Sequence, residues 1–143
     1  MPKAVIDTTV LVSAFLRHSP GGVSYELLRL AGTGAYELYL SDDILEETAA
    51  VLLREGRLRQ RYLYTDKEVI EYCQDLGRLA TIVNVLAVEP IVRDPNDDMI
   101  VACALAAGAD YLVTRDKDML SIGNHQGIAI LTPEAFAHVL RKP

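Results

Sequence analysis

Short apolar runs alternate with helix-like segments along the whole chain, and that rhythm restricts the fold more than any other feature. Residues 3–7 form a first apolar run that ends at Asp7, and VLVSAFL (10–16) follows as a helix after a turn. Pro20-Gly21-Gly22 interrupts the chain, and a second helix resumes with Tyr25, Leu27, Leu28 and Leu30. YELYL (36–40) reads as the second strand. Ser41 then offers an N-cap to a helix carrying Asp42 and Asp43 in its first turn, with Ile44, Leu45, Val51 and Leu52 at helical spacing. Thr65-Asp66-Lys67-Glu68 has the form of a capping box and opens a helix through Leu79. TIVNVLAV (81–88) is a third strand closed by Glu89-Pro90, and a helix through MIVACALAAG stops at Gly108. YLVT (111–114) and IAIL (128–131) are the fourth and fifth strands. Thr132-Pro133-Glu134 starts the last helix with a cap and a proline at its first position. Strands that alternate with helices imply a mainly parallel sheet covered on both faces, a three-layer α/β/α sandwich.

The chain of 143 residues fits one domain, 1–143, and is long enough to bury a core. With 50% hydrophobic and 24% charged residues it is not a disordered polypeptide. The net charge of −6 argues against nucleic-acid binding through general basicity. It leaves room for a nuclease, in which bound metal and a local basic patch supply the positive field. That patch has one candidate: Arg54, Arg57, Arg59 and Arg61, in REGRLRQR. It reads either as a solvated basic loop or as a grip on RNA or a partner. Cys73 and Cys103 are too few for a disulfide framework or a zinc site, so both are expected to be reduced thiols in helices. No apolar run approaches the roughly 20 residues that span a bilayer, and MPKAVIDTT lacks the apolar region of a signal peptide. The expected location is the cytoplasm.

Acids concentrate where the apolar runs end. Asp7 closes the first, Asp94, Asp97 and Asp98 lie in RDPNDDMI, and Asp116 and Asp118 lie in LVTRDKDML. The carboxyl edge of a parallel sheet forms the crevice in which ligands bind. Carboxylates gathered there repel one another unless a cation holds them, which points to a divalent metal. Each acid also has a structural reading. Asp7 and Asp116 suit helix N-caps, one of the acids between 94 and 98 is a cap, and Glu46 and Glu47 suit a solvated helix face. Three acids in five positions exceed what capping needs. The three histidines, His18, His125 and His138, are scattered and suit surface or packing roles.

VIDTTVLVSAF, LSDDILEETAAVL and RDPNDDMIVACALAAGADYLVTRDKDML together resemble the PIN-domain ribonucleases, in particular the bacterial and archaeal members classed as toxins of toxin–antitoxin pairs. The resemblance runs from residue 3 to about 140. One departure stands in the opening motif, where the family usually has Asn two places after the first acid and this chain has Thr9; its hydroxyl can still donate a hydrogen bond. The resemblance implies Asp7, Glu47, Asp97 and Asp116 as catalytic metal ligands, with Glu46, Asp98 and Asp118 as the neighbouring alternatives. It implies Mg²⁺ or Mn²⁺ as cofactor, single-stranded RNA as substrate, an antitoxin protein as partner, and a homodimer. The chemistry agrees: hydrolysing a phosphodiester drives water into an anion and expels an alkoxide, a task that a divalent cation on hard oxygen ligands performs.

Other readings carry less. A haloacid-dehalogenase-like phosphatase would place an acid two residues after Asp7, where Thr9 stands. A receiver domain would place paired acids soon after the first strand, and they are absent. A catalytically inactive PIN-fold binding module would not need all four acid positions filled.

Overall fold

The computed structural model describes residues 1–17, 22–85 and 95–142, with side chains in the last segment from residue 98 onward. In chain order the elements are β1 (Lys3–Ile6), α1 (Thr8–Leu16), α2 (Val23–Gly32), β2 (Glu37–Leu40), α3 (Asp42–Arg54), α4 (Gly56–Arg61), α5 (Asp66–Leu79) and β3 (Thr81–Ile82). They continue with α6 (Pro95–Ala107), β4 (Tyr111–Val113), α7 (Lys117–Ile122), β5 (Asn124–His125), β6 (Ile128–Leu131) and α8 (Pro133–Arg141).

Among the described residues six strands form one sheet in the order β3-β2-β1-β4-β6-β5, parallel throughout except for β5. In β1, Ala4, Val5 and Ile6 are all buried although successive side chains point to opposite faces. Both faces are therefore covered, which makes the expected α/β/α sandwich. α6 packs on β1, β2 and β4, while α8 packs on β4 and β6 and against α2. Phe136 of α8 is fully buried between Tyr36, edge-on at 5.0 Å, and Tyr111 at 5.4 Å. The Tyr36 hydroxyl would be costly to bury unpaired, and it donates to the Leu27 carbonyl at 2.7 Å.

Local signals fixed most helix starts. Ser41 caps α3 by accepting from the Ile44 amide, and Thr132 caps α8 with Pro133 at its first position. The Thr65–Glu68 capping box is complete, each side chain accepting from the other's backbone amide. Gly108, with φ +63, ends α6 in a conformation that costs glycine nothing.

Four stretches differ from the sequence reading. The basic stretch expected as a loop is the short helix α4. The strand expected over 81–88 is confined to Thr81–Ile82, the next three residues form no strand, and 86–88 lie outside the described residues. Helix α7 follows Asp116 where no element was expected. A hairpin adds β5 ahead of the expected last strand, turning on Gln126 and Gly127, both at positive φ as a two-residue type I′ turn requires. Cys73 and Cys103 lie in α5 and α6 as free thiols, and burial pushes the Cys103 thiol up to about 12. Among the described residues no helix is long and apolar enough to cross a membrane.

The sheet order fixes where a ligand can enter. From β1 the chain moves to β2 on one side, and after β3 it returns to β4 on the other side. The carboxyl ends of β1 and β4 thus flank a topological switch point, the position at which open α/β sheets bind ligands.

Candidate metal centre

β1 and β4 pair in register through Ile6 and Val113, so the next two residues, Asp7 and Thr114, meet just beyond the strand ends. The Asp7 amide donates to the Val113 carbonyl at 3.0 Å and holds that meeting in place. Asp7 is 1% exposed. Its Oδ2 accepts from the Thr114 hydroxyl, and its Oδ1 accepts from the Thr9 hydroxyl at 2.6 Å and the Val10 amide at 3.2 Å. Thr9 thus donates the hydroxyl hydrogen bond that the sequence reading expected of it. The bond to Val10 makes Asp7 the N-cap of α1 as well, so the capping and site readings of this residue coexist.

Asp116 sits two residues past Thr114, and its amide donates to the Thr114 hydroxyl at 3.0 Å. Asp116 Oδ1 caps α7 by accepting from the amides of Asp118 at 2.8 Å and Met119 at 3.4 Å. Its Oδ2 has no hydrogen-bond partner among the described residues. Asp118 lies exposed on α7 and joins this network only through its backbone. The Arg115 guanidinium is held by both carboxylate oxygens of Glu134, at 2.8 and 3.1 Å.

Burial pushes the Asp7 carboxyl above its ordinary range. The donors Thr114, Thr9 and Val10 pull it back in part, and the charge of Asp116 adds to the upward push. No lysine, arginine or histidine pairs with Asp7 among the described residues. A buried carboxylate beside a second one, with hydroxyl donors and no cationic side chain, is an arrangement that a bound cation stabilises.

Glu47, on α3, lines a narrow cleft with Thr8, Asp43, Ile44, Met99 and Ile100, about 10 Å³ in volume and thus room for roughly one water. Thr8 directly follows Asp7, and its buried hydroxyl has no hydrogen-bond partner among the described residues. Glu46 is exposed and does not reach this cleft. Met99 and Ile100 bring the first turns of α6 to the same place. Asp98, on that helix, is buried at 6% exposure. The side chain of Asp97, together with Asp94 and His18, lies outside the described residues. Among the described residues no three acids, histidines or cysteines gather closely enough to hold a metal ion. What the structure brings together is the pair Asp7 and Asp116, with Glu47 sharing a cleft with Thr8, the residue next to Asp7. The donor chemistry suits Mg²⁺ or Mn²⁺: hard carboxylate oxygens, few in number, with an orphaned hydroxyl alongside to meet a coordinated water.

Thr8 and Thr114 are the site residues that the acid pattern alone does not single out. Thr114 was legible as the residue ending the fourth strand, whereas nothing in the sequence marks Thr8.

Residues 3–118 match the family model of the PIN domain. Among solved structures, the chain is similar to VapBC2 from Rickettsia felis, solved bound to a DNA fragment from their promoter. The TM-score is 0.63 at 15% identity, with 90% of this chain and 96% of that one covered. It is also similar to VapC20 of Mycobacterium tuberculosis, a sarcin–ricin-loop-cleaving toxin. There the TM-score is 0.57 at 15% identity, with 86% of this chain and 97% of that one covered. No curated protein sequence matches the chain.

Proposed function

The chain belongs to the PIN-domain family, and from that premise we propose that it is a metal-dependent endoribonuclease that hydrolyses single-stranded RNA and serves as the toxin of a toxin–antitoxin pair. The observation that carries this reading is Asp7: a buried carboxylate at the sheet's switch point, beside Asp116, held by two threonine hydroxyls and without a cationic partner among the described residues. In this reading Asp7, Asp97 and Asp116 bind the metal, and Glu47 contributes a ligand or orients the attacking water. Asp98 is the alternative to Asp97. Mg²⁺ or Mn²⁺ held there lowers the pKa of a bound water and offsets charge on the phosphoryl oxygens.

The protein's own groups do the rest. Thr9 and Thr114 fix the Asp7 carboxylate in one rotamer, so that it presents the same oxygens at every turnover. The Asp116 amide orients the Thr114 hydroxyl, which couples the positions of the two acids. The partners proposed with this activity are RNA, an antitoxin protein and a second copy of the chain, in the cytoplasm. The VapC20 structure, that of a sarcin–ricin-loop-cleaving toxin, supports the reading through shared architecture.

Water as nucleophile leaves a definite signature. Cleavage of a single-stranded oligonucleotide in Mg²⁺ should yield one fragment with a 5′-phosphate and the other with a 3′-hydroxyl, both identifiable by mass spectrometry. A 2′,3′-cyclic phosphate would mean that the neighbouring ribose hydroxyl attacks instead, and the proposed roles of the acids would be wrong.

A further inference from the structure

A larger groove of about 510 Å³ runs along α3 beside the cleft at Glu47; it shares Asp43, Glu47 and Met99 with the cleft and reaches Arg54. Glu47, Ala50 and Arg54 fall on one stripe of the helix, since residues three, four and seven apart share a face. The small side chain at Ala50 leaves the floor open between the two charged ends. Arg54 lies two turns, about 10.5 Å, beyond Glu47. Leu53, 37% exposed, and Met99 of α6 give the groove apolar walls. The groove is therefore polarised, with the carboxylates of Asp43, Glu46 and Glu47 toward the start of α3 and the Arg54 guanidinium at its end.

The four arginines of the basic cluster are not equivalent. Arg59 is committed to the fold: it pairs with Asp66, stacks over the Tyr64 ring at 5.1 Å and donates to the Leu52 carbonyl. Arg61 lies over Tyr62. Arg57 is exposed and does not line the groove. Arg54 lines the groove and forms no ion pair among the described residues, whereas Arg29, Arg59, Arg78 and Arg115 all do.

We infer that this groove is the track for the RNA strand on one side of the scissile phosphate, with Arg54 binding a flanking phosphate and Leu53 and Met99 contacting ribose or base. This rests on the nuclease reading for the position of the scissile phosphate, and it goes beyond that reading by naming what holds the strand outside the metal site. A guanidinium suits the task because its donors fork to match phosphate oxygens. With a net charge of −6 the chain attracts RNA through individual cations rather than through general basicity. Apolar walls suit single-stranded RNA, whose unstacked bases offer flat faces that a duplex hides.

The test compares wild type, Arg54→Gln, Arg54→Lys and Arg78→Gln as full-length chains. A fluorescent single-stranded oligoribonucleotide reports binding by anisotropy with Ca²⁺ in place of Mg²⁺, since the larger ion can occupy a carboxylate site while acidifying bound water poorly, which keeps cleavage low. Arg54→Gln should weaken binding roughly 10- to 100-fold, the scale of one charged hydrogen-bonded contact. It should also flatten the log–log salt dependence by about 0.7, the slope lost with one phosphate contact on a single strand. Arg54→Lys should keep the slope, and Arg78→Gln, whose arginine pairs with Asp75 on α5, should match wild type. In steady-state cleavage, the loss in Arg54→Gln should fall on KM rather than kcat. Unchanged affinity and slope in Arg54→Gln would overturn the inference and assign Arg54 to a partner surface or to solvent. A wild type that binds no oligonucleotide overturns it too. A wild type that binds with the Arg54-dependent slope yet cleaves nothing leaves this track standing and refutes the nuclease reading.

Discussion

Asp7→Asn should slow RNA cleavage by about two to three powers of ten, the cost of removing one main electrostatic stabiliser, and should leave the metal-free protein at least as stable as wild type. The two effects have one cause. Burial raises the Asp7 carboxyl because the ionised form has lost its water and gained Asp116 as a neighbour. Asparagine keeps the shape and the cap: its carbonyl can accept from Thr9 and Val10, and its amide can donate to the Thr114 hydroxyl. It discards only the charge.

The pH dependence of this difference follows from the sign of the shift. A carboxyl whose folded pKa is raised contributes no penalty below its unfolded value, and a growing one as pH rises through its folded value. The melting temperature of metal-free Asp7→Asn should therefore exceed that of wild type at neutral pH, and the gap should close as pH falls toward the ordinary carboxylate range. Differential scanning calorimetry in EDTA at several pH values measures it. A variant less stable than wild type at neutral pH would mean that the threonine bonds to the ionised carboxylate outweigh its burial.

Phe136→Ala should produce the largest loss of stability, about 3–5 kcal/mol. Phe136 is fully buried and touches the rings of Tyr36 and Tyr111, just ahead of and at the start of β2 and β4. Truncation opens a cavity where α8 meets the sheet and forfeits two aromatic contacts. Domains of this size hold about 5–15 kcal/mol in total. The variant should then melt roughly 10–15 °C lower. The position lies at the amino end of the strands, opposite Asp7, so the folded fraction should bind Mn²⁺ as wild type does. Thermal melts and metal titration below the transition check both halves. A fall of only a degree or two would show that the aromatic cluster tolerates the cavity.

How far the sequence predicted this arrangement depends on how local each signal is. Ser41, the Thr65–Glu68 box and Thr132-Pro133 announce helix starts because a cap is decided within four residues. β1, β2 and β4 were legible as apolar runs, and the parallel sheet followed from their alternation with helices. Helix α7, with six residues, is too short for helical periodicity to register, and the β5 hairpin turns on a glutamine, a residue that seldom takes positive φ. β3 lasts two residues at the sheet's edge, where pairing with β2 alone sets its length rather than the longer apolar run.

The site divides in the same way. Asp7 and Asp116 were visible as acids ending apolar runs, but their proximity depends on β1 pairing with β4 across 107 residues, the separation between Asp7 and Thr114. That pairing follows from the sheet order, which no local motif encodes. The orphaned hydroxyl of Thr8 is a purely tertiary fact. So is the difference between Arg54, which lines the groove, and Arg59, which is spent on Asp66 and Tyr64.

Everything proposed for the acids at this sheet edge depends on their holding a divalent cation. The decisive quantity is the rate of single-stranded RNA cleavage by protein stripped with EDTA and then titrated with Mn²⁺ or Mg²⁺. Excess EDTA should abolish cleavage, added metal should restore it to saturation, and Asp7→Asn should stay near baseline throughout. Cleavage by wild type that persists in excess EDTA would contradict a metal-held nuclease site.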